Sequence, residues 1–176
     1  AAGEVRIRQT AVGLNFVDIY QRSGLYPLPL PFTPGNEGVG VVEAIGPGVS
    51  GFKAGDRVVY TGAAGAYAQV RVVPAAKLIH LPAGIDDRVA AASFLKGTTV
   101  QFLLQRTFKV GPGHTILFHA AAGGVGLIAT QWAKALGATV IGTVGSEEKK
   151  AVALKHGCDH VINYRSENFV DRVKEI

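Results

Sequence analysis

The sequence predicts an α/β fold in two parts, a β-rich half followed by the first half of a doubly wound parallel sheet. Three observations predict it. Short segments of alternating polar and apolar residues, separated by Gly and Pro turns, fill the first ninety or so residues. After Pro82 the periodicity becomes helical, and strands then alternate with helices. A glycine-rich turn joins a strand to a helix in that second half. We assign residues 1–95 to the first domain and residues 96–176 to the second.

The first domain is predicted to be small, antiparallel and barrel-like. One or two helical turns are expected over residues 15–23, followed by a loop in which four prolines within eight residues exclude regular structure. Glycine and proline turns such as Gly46-Pro47-Gly48 separate the strands. The expected strands are residues 4–11, 38–45, 57–60, 67–73 and 77–80.

A helix that carries Val89, Ala92 and Leu95 at helical spacing follows Pro82 and leads from the first domain into the second. The elements expected after it are a buried strand (115–119), a helix (125–136), a strand (139–144), a helix (147–156) and a strand (161–164), with Gly137 and Gly157 closing the helices. This order with short connections predicts a parallel sheet with right-handed crossovers. The chain opens without Met and stops inside a helical pattern, so we expect a fragment that is truncated at both ends.

Composition excludes several classes of protein. The single cysteine, Cys158, rules out an internal disulfide framework and a Cys-rich zinc cluster, and it suits a reducing cytoplasm. No apolar run approaches the roughly 20 residues that span a bilayer, so no membrane role is expected. The excess of basic residues lies wholly in residues 88–176, which hold eleven basic and six acidic side chains. No basic run with interleaved aromatics occurs there, which favours a phosphate-bearing small molecule over nucleic acid.

The glycine-rich turn has the G-x-G-x-x-G spacing of a dinucleotide site, with Ala121 in the first glycine position. Gly123 would let the backbone approach a pyrophosphate, and Gly126 would let the helix pack closely on the strand. Backbone N–H groups at the helix N-terminus would then hold the phosphates. The alternative is a tight turn without a ligand. We predict that the cofactor contacts Ala122, Gly123, Gly124, Val125 and Gly126.

The strand after this turn ends Val144-Gly145-Ser146, whereas an NAD site usually has Asp or Glu there to bind the ribose. Gly145 leaves room for a 2′-phosphate and Ser146 can cap the next helix. Lys149, and Arg165 or Tyr164 after the third strand, can donate to phosphate, although Lys149 also fits a solvated helix face. Glu147 and Glu148 oppose an anion unless they serve only as partners of the helix dipole. The pattern predicts NADPH rather than NADH.

Together with three further motifs, these residues resemble the quinone oxidoreductases, the zeta-crystallin-like, zinc-free branch of the medium-chain dehydrogenase/reductase superfamily. The resemblance implies a GroES-like catalytic domain, N-terminally truncated, joined to an NADPH-binding Rossmann domain of which the first half is present. Substrate and nicotinamide would meet in the cleft between the domains. The motifs are Gly13-Leu14-Asn15-Phe16-Val17-Asp18, Pro34-Gly35-Asn36-Glu37-Gly38-Val39-Gly40 and Lys96-Gly97-Thr98-Thr99.

The resemblance also implies roles for single residues. Asn15, Tyr20 and Tyr26 would line the nicotinamide side of the cofactor, and Lys149 and Tyr164 would approach the 2′-phosphate. Thr99, expected at the start of the helix that leads into the second domain, would contact the nicotinamide ribose. On the residues alone, Tyr20 fits equally well as a helix-face aromatic and Tyr26 as a loop anchor.

No metal is expected. Zinc-dependent relatives place Cys and His at the positions of Asn15 and Asn36, and asparagine is a poor zinc ligand. Glu37 alone cannot hold zinc, which takes about four ligands, mostly Cys or His.

The function implied is therefore NADPH-dependent quinone reduction by direct hydride transfer, with Asn15 or a tyrosine hydroxyl stabilising the oxyanion and the last proton coming from solvent or Tyr26. One alternative is reduction of the double bond of an enone or alkenal, and another is a crystallin-like or AU-rich-RNA-binding protein. The resemblance also implies a cytoplasmic homodimer whose dimer edge lies beyond Ile176.

Overall fold

The computed structural model describes residues 1–62 and 64–176 and divides into two compact units, Ala1–Leu95 and Lys96–Ile176. The first unit holds a five-stranded sheet in which all four pairings are antiparallel. From one edge to the other, its strands are Val70–Pro74 (β4), Glu4–Val12 (β1), Glu37–Ile45 (β2), Arg57–Thr61 (β3) and Leu78–His80 (β5). In the described part of the chain no pairing joins the edge strands β4 and β5 into a closed barrel. The elements are β1 (Glu4–Val12), α1 (Phe16–Arg22), β2 (Glu37–Ile45), β3 (Arg57–Thr61), β4 (Val70–Pro74), a 3-10 turn (Ala75–Lys77), β5 (Leu78–His80) and most of α2 (Asp87–Gln101).

Alternation along β1 explains why this sheet has one buried and one solvated face. Val5 and Ile7 are fully buried, whereas Arg6 and Arg8 are exposed and both pair with Glu43 of β2. The buried side chains join those of β2, β3 and β4 in one apolar cluster.

The fourth strand begins later than predicted. It starts at Val70 rather than at Tyr67, because the preceding segment is bonded to the proline loop. The backbone N–H groups of Ala66 and Tyr67 donate to the carbonyls of Gly35 and Pro34 at 3.0 and 2.9 Å. These bonds hold Tyr67 outside the strand.

The second unit holds a parallel sheet of three strands in the order Thr115–Phe118 (β6), Thr139–Val144 (β7) and His160–Asn163 (β8), so the predicted α/β class is confirmed. Gly137 and Gly157, predicted to close the helices, have φ values of +85° and +104°, the left-handed conformation that ends a helix. The elements are a π-helical turn (Phe102–Thr107) that continues α2, then β6 (Thr115–Phe118), α3 (Gly124–Ala135), β7 (Thr139–Val144), α4 (Glu147–Lys155), β8 (His160–Asn163) and α5 (Phe169–Glu175).

The prediction that the first strand of this sheet is buried is wrong. Thr115 is exposed and Leu117 is 38% exposed, because β6 lies at the edge of the sheet with one neighbour. The central strand β7 is the buried one, from Val140 to Val144. Among the described residues, no helix combines the length and the apolar character that a membrane crossing demands.

Candidate functional site

The glycine-rich turn lies between β6 and α3 and is fixed by its own backbone. Ala120 adopts a positive φ of +53°, which is uncommon for a residue with a side chain. Its carbonyl accepts the N–H of Gly123 at 2.8 Å, and the N–H of Ala121 donates to the carbonyl of Thr143 in β7 at 3.1 Å. The turn is therefore anchored to the central strand.

Two glycines give the turn its close packing. A Cβ on Gly126 would lie 2.3 Å from the carbonyl oxygen of Ala120 and 2.6 Å from that of Ala121, so only glycine fits. Ala121, in the first glycine position, is fully buried. The methyl group of Ala121 fits because Gly142 of β7 has no side chain. A Cβ on Gly142 would lie only 2.7 Å from that methyl group.

Helix α3 begins directly on this turn, with Gly123 as its N-cap. The N–H groups of a helix's first turn have no acceptor within the helix, and the helix dipole adds positive potential there. No side chain projects from Gly123, Gly124 or Gly126. The stem of Lys96, which sequence reasoning did not assign to the site, lies 3.0 Å from where a Cβ on Gly124 would stand. The turn is thus an open cradle for an anionic group.

Three residues predicted to bind the cofactor's phosphate, Gly145, Tyr164 and Arg165, lie together at the carboxyl end of β7. A Cβ on Gly145 would lie 2.6 Å from the hydroxyl of Tyr164 and 3.6 Å from Nε of Arg165. The space that sequence analysis gave to a phosphate is therefore shared with the Tyr164 hydroxyl. Tyr164 as a whole residue is 53% exposed.

Helix α4 starts beside this point. Ser146 is its N-cap, and the Ser146 hydroxyl accepts the backbone N–H of Lys149 at 3.3 Å. The Lys149 side chain is exposed. Glu147 is also exposed, but its carboxylate accepts a hydrogen bond from Nδ2 of Asn163 at 2.7 Å. Asn163 was not predicted from the sequence, because no local pattern links the end of β8 to the first turn of α4.

In the first unit, Asn15 is the N-cap of α1 and is buried. Its Nδ2 donates to Oε1 of Glu37 at 2.7 Å, and Oε2 of Glu37 accepts the backbone N–H of Leu95 at 2.8 Å. Glu37 is fully buried. Gly13 leaves space for this carboxylate, because a Cβ there would lie 2.1 Å from Oε1 of Glu37. The Asn15 carboxamide is therefore held in a fixed orientation.

Asp18 forms the second half of this polar cluster and is 3% exposed. Its carboxylate accepts the backbone N–H of Asn15 at 2.9 Å, Nδ2 of Asn36 at 2.6 Å and the hydroxyl of Tyr67 at 2.8 Å. Burial raises the pKa of Tyr67 to about 12, and the hydrogen bond to Asp18 adds to the rise. Neither Asp18 nor Tyr67 was assigned a role from sequence.

The two candidate tyrosines lie against each other. The ring centroids of Tyr20 and Tyr26 are 5.3 Å apart in an edge-to-face arrangement, and Phe16 packs 6.0 Å from Tyr20. The backbone N–H of Tyr26 donates to the carbonyl of Tyr20 at 3.1 Å. Asn15 and Tyr20 thus belong to one helix, and the loop after it brings in Tyr26.

One predicted position is wrong. Thr99 lies near the C-terminal end of α2, not at the start of a helix, because α2 begins at Asp87 and runs without a break to Gln101. Thr99 belongs to the second unit.

Two protein families match parts of this chain. Residues 1–83 match the alcohol dehydrogenase GroES-like domain, and residues 124–176 match the zinc-binding dehydrogenase family. A quinone oxidoreductase of Pseudomonas aeruginosa is 57% identical over 98% of this chain and 54% of its own length. A 2-haloacrylate reductase of a Burkholderia species is 50% identical over 99% of this chain and 54% of its own length.

Among solved structures, an Escherichia coli quinone oxidoreductase complexed with NADPH superposes with a TM-score of 0.96 at 55% identity, covering 98% of this chain and 54% of the other. The chain spans about half the length of the curated relatives it matches. Identity of this level extends across both units. The chain belongs to the quinone oxidoreductase family of the medium-chain dehydrogenase/reductase superfamily.

Proposed function

We propose that the full-length protein is an NADPH-dependent oxidoreductase that transfers a hydride to a quinone without a metal ion. The observation that supports it best is the end of β7, where Gly145 stands in place of an acid and the Tyr164 hydroxyl and Arg165 guanidinium lie beside it. Lys149 projects from the helix that follows. An NAD site has a carboxylate at this position to accept hydrogen bonds from the ribose hydroxyls. Here hydrogen-bond donors surround a glycine, which favours a cofactor with a 2′-phosphate.

The cofactor's pyrophosphate would be held by the turn from Ala122 to Gly126. The turn at the N-terminus of α3 fits an anionic group, because the N–H groups of a first helical turn have no acceptor within the helix and Gly123, Gly124 and Gly126 present no side chain there. The adenosine 2′-phosphate would be held by Ser146, Lys149 and Tyr164 next to Gly145. On the nicotinamide side we propose Asn15, Tyr20 and Thr99.

Zinc, which the name of one matching family implies, does not fit these residues. The Nδ2 atoms of Asn15 and Asn36 donate to the carboxylates of Glu37 and Asp18. Both carboxylates are thereby engaged with amide donors, and asparagine is a poor zinc ligand. In residues 1–62 and 64–176, no three His, Cys, Asp or Glu side chains cluster as a metal site would require.

The chemistry proposed for the site divides between cofactor and protein. NADPH, when bound, supplies the hydride. Glu37 fixes the Asn15 carboxamide so that it can hydrogen-bond the cofactor or the developing oxyanion at a defined position. The Tyr20 and Tyr26 rings would orient a flat acceptor, and the last proton would come from the Tyr26 hydroxyl or from solvent.

Steady-state kinetics of the full-length protein test this proposal. We expect NADPH oxidation with 1,4-benzoquinone and 9,10-phenanthrenequinone, with NADPH preferred over NADH. Replacing Lys149 by Ala should raise the Kd of NADPH by roughly five-fold and leave that of NADH unchanged, since one exposed charge on a phosphate contributes about 1 kcal/mol. Equal affinity for both cofactors in both proteins would contradict the assignment of the 2′-phosphate.

A second candidate is reduction of an activated carbon–carbon double bond. The relative named 2-haloacrylate reductase, at 50% identity, favours it. The same cofactor and the same residues would serve, with an enone or alkenal as hydride acceptor. Faster turnover of an unsaturated ketone than of either quinone would establish this function instead.

We also propose a cytoplasmic homodimer, on the family resemblance alone. Light scattering of the full-length protein at several concentrations tests the dimer, and a monomeric mass throughout would refute it.

A further inference from the structure

Asn163 connects the two sides of the site at the end of β7. It is the last residue of β8, pairs in register with Val144 and is 6% exposed. Its Nδ2 donates to Oε1 of Glu147 at 2.7 Å, and its Oδ1 accepts the backbone N–H of Arg165 at 3.2 Å. One buried side chain therefore holds an acid of α4 and the turn that follows β8.

Glu147 presents a problem for phosphate binding. It lies in the first turn of α4, two residues after Gly145, where its negative charge would repel a 2′-phosphate. The hydrogen bond from Asn163 holds the Glu147 carboxylate at the end of β8, and bonds to an ionised group are stronger than bonds between neutral groups. Glu148, the neighbouring acid, is exposed as Glu147 is, and the bond from Asn163 goes to Glu147.

We infer that Asn163 is a positioning residue that determines cofactor specificity. It keeps the Glu147 carboxylate turned away from the phosphate and fixes the Tyr164-Arg165 turn beside Gly145. The site then accepts a ribose that carries a 2′-phosphate. This inference rests on the proposed use of NADPH.

Calorimetric titration of the full-length protein with 2′,5′-ADP and with 5′-AMP tests the inference, because these ligands differ only in the 2′-phosphate. We expect the wild-type protein to bind 2′,5′-ADP more tightly. In Asn163→Ala the freed Glu147 charge should weaken 2′,5′-ADP roughly five-fold and leave 5′-AMP little changed. Adding Glu147→Gln should restore most of this loss, whereas Glu148→Gln, a matched removal of charge from the same turn, should not.

Asn163→Asp provides a second test if the alanine variant disturbs the turn. It keeps an oxygen that can accept the N–H of Arg165, loses the donor to Glu147 and adds a second negative charge beside it, so a selective loss of 2′,5′-ADP binding at least as large as that of Asn163→Ala is expected. Equal weakening of both ligands, or a loss that Glu147→Gln does not restore, would overturn the role of Asn163 alone. Equal binding of the two ligands by the wild-type protein would overturn the NADPH proposal and the inference with it.

Discussion

The two candidate regions are built in opposite ways. At the carboxyl ends of the parallel strands, Gly126 and Gly145 leave out side chains so that backbone and Tyr164 can approach. In the first unit, the carboxylates of Asp18 and Glu37 are instead buried. They accept hydrogen bonds from donors in distant parts of the chain. One region depends on space, and the other depends on hydrogen bonds. The difference predicts that they will respond differently to the loss or gain of a few atoms.

The largest effect is expected from removing a buried acceptor. Asp18→Ala leaves the donors of Asn15, Asn36 and Tyr67 without their carboxylate. Each of these bonds ends on a carboxylate that is 3% exposed, and the buried N–H of Asn15 loses its acceptor, so we expect a loss of about 3 kcal/mol in the free energy of unfolding. Urea unfolding of the full-length protein measures it.

The matched control is Asp86→Ala. Asp86 also accepts backbone N–H groups, from Arg88 and Val89 at the start of α2, but it is exposed. Its removal should cost only about 1 kcal/mol, as for an ordinary helix cap. Equal losses from the two substitutions would mean that the buried cluster contributes nothing beyond a cap.

A smaller effect is expected from adding one methyl group to the glycine turn. In Gly126→Ala the new Cβ meets the carbonyl oxygens of Ala120 and Ala121, which cannot move without shifting the turn. We expect a loss of about 2 kcal/mol in stability from overpacking, together with weaker binding of NADPH. In Gly124→Ala the new Cβ meets only the flexible stem of Lys96, at 3.0 Å. That control should retain stability, and a loss equal to that of Gly126→Ala would show that space at the turn is not the cause.

This contrast explains how much of the molecule the sequence predicts. The strands, the helices of the second unit and the glycine turn follow from periodicity and spacing over short stretches, and the structure contains them. Leu117 is exposed because its strand has one neighbour, which a local pattern of apolar residues does not report. Tyr67 leaves its strand because it is bonded to the proline loop.

The polar contacts were missed for a related reason. Asp18 meets Tyr67 across 49 positions of the chain, and Asn15 meets Glu37 across 22. Such pairs depend on how β1, α1 and β2 are placed by the sheet, so no motif of fixed spacing predicts them. A glycine that leaves space for a nearby backbone atom is a local feature, so the sequence predicts it. A hydrogen bond between distant elements is not local, so the sequence does not.

The smallest effect is a pH dependence at Tyr67, which distinguishes a hydrogen-bonded cluster from simple packing. The pKa of Tyr67 is raised from 10.0 to about 12, by burial first and then by the bond to Asp18. Below about pH 10 the hydroxyl is protonated in both folded and unfolded protein, so its contribution to stability is complete. As the pH rises from 10 to 12 the unfolded chain loses the proton first, and that contribution is lost.

Tyr67→Phe has no hydroxyl to titrate. We therefore expect the free energy of unfolding of the wild type to fall relative to the variant as the pH rises through this range. The fall should stay below about 1 kcal/mol, because Tyr67 is 39% exposed and solvent screens its interaction with Asp18. Urea unfolding of both proteins at several pH values between about 9 and 12 measures the difference. If the free energies of unfolding of the two proteins changed in parallel with pH, Tyr67 would stabilise the cluster through its ring and not through its bond to Asp18. This part of the first unit would then depend on packing, as the glycine turn does.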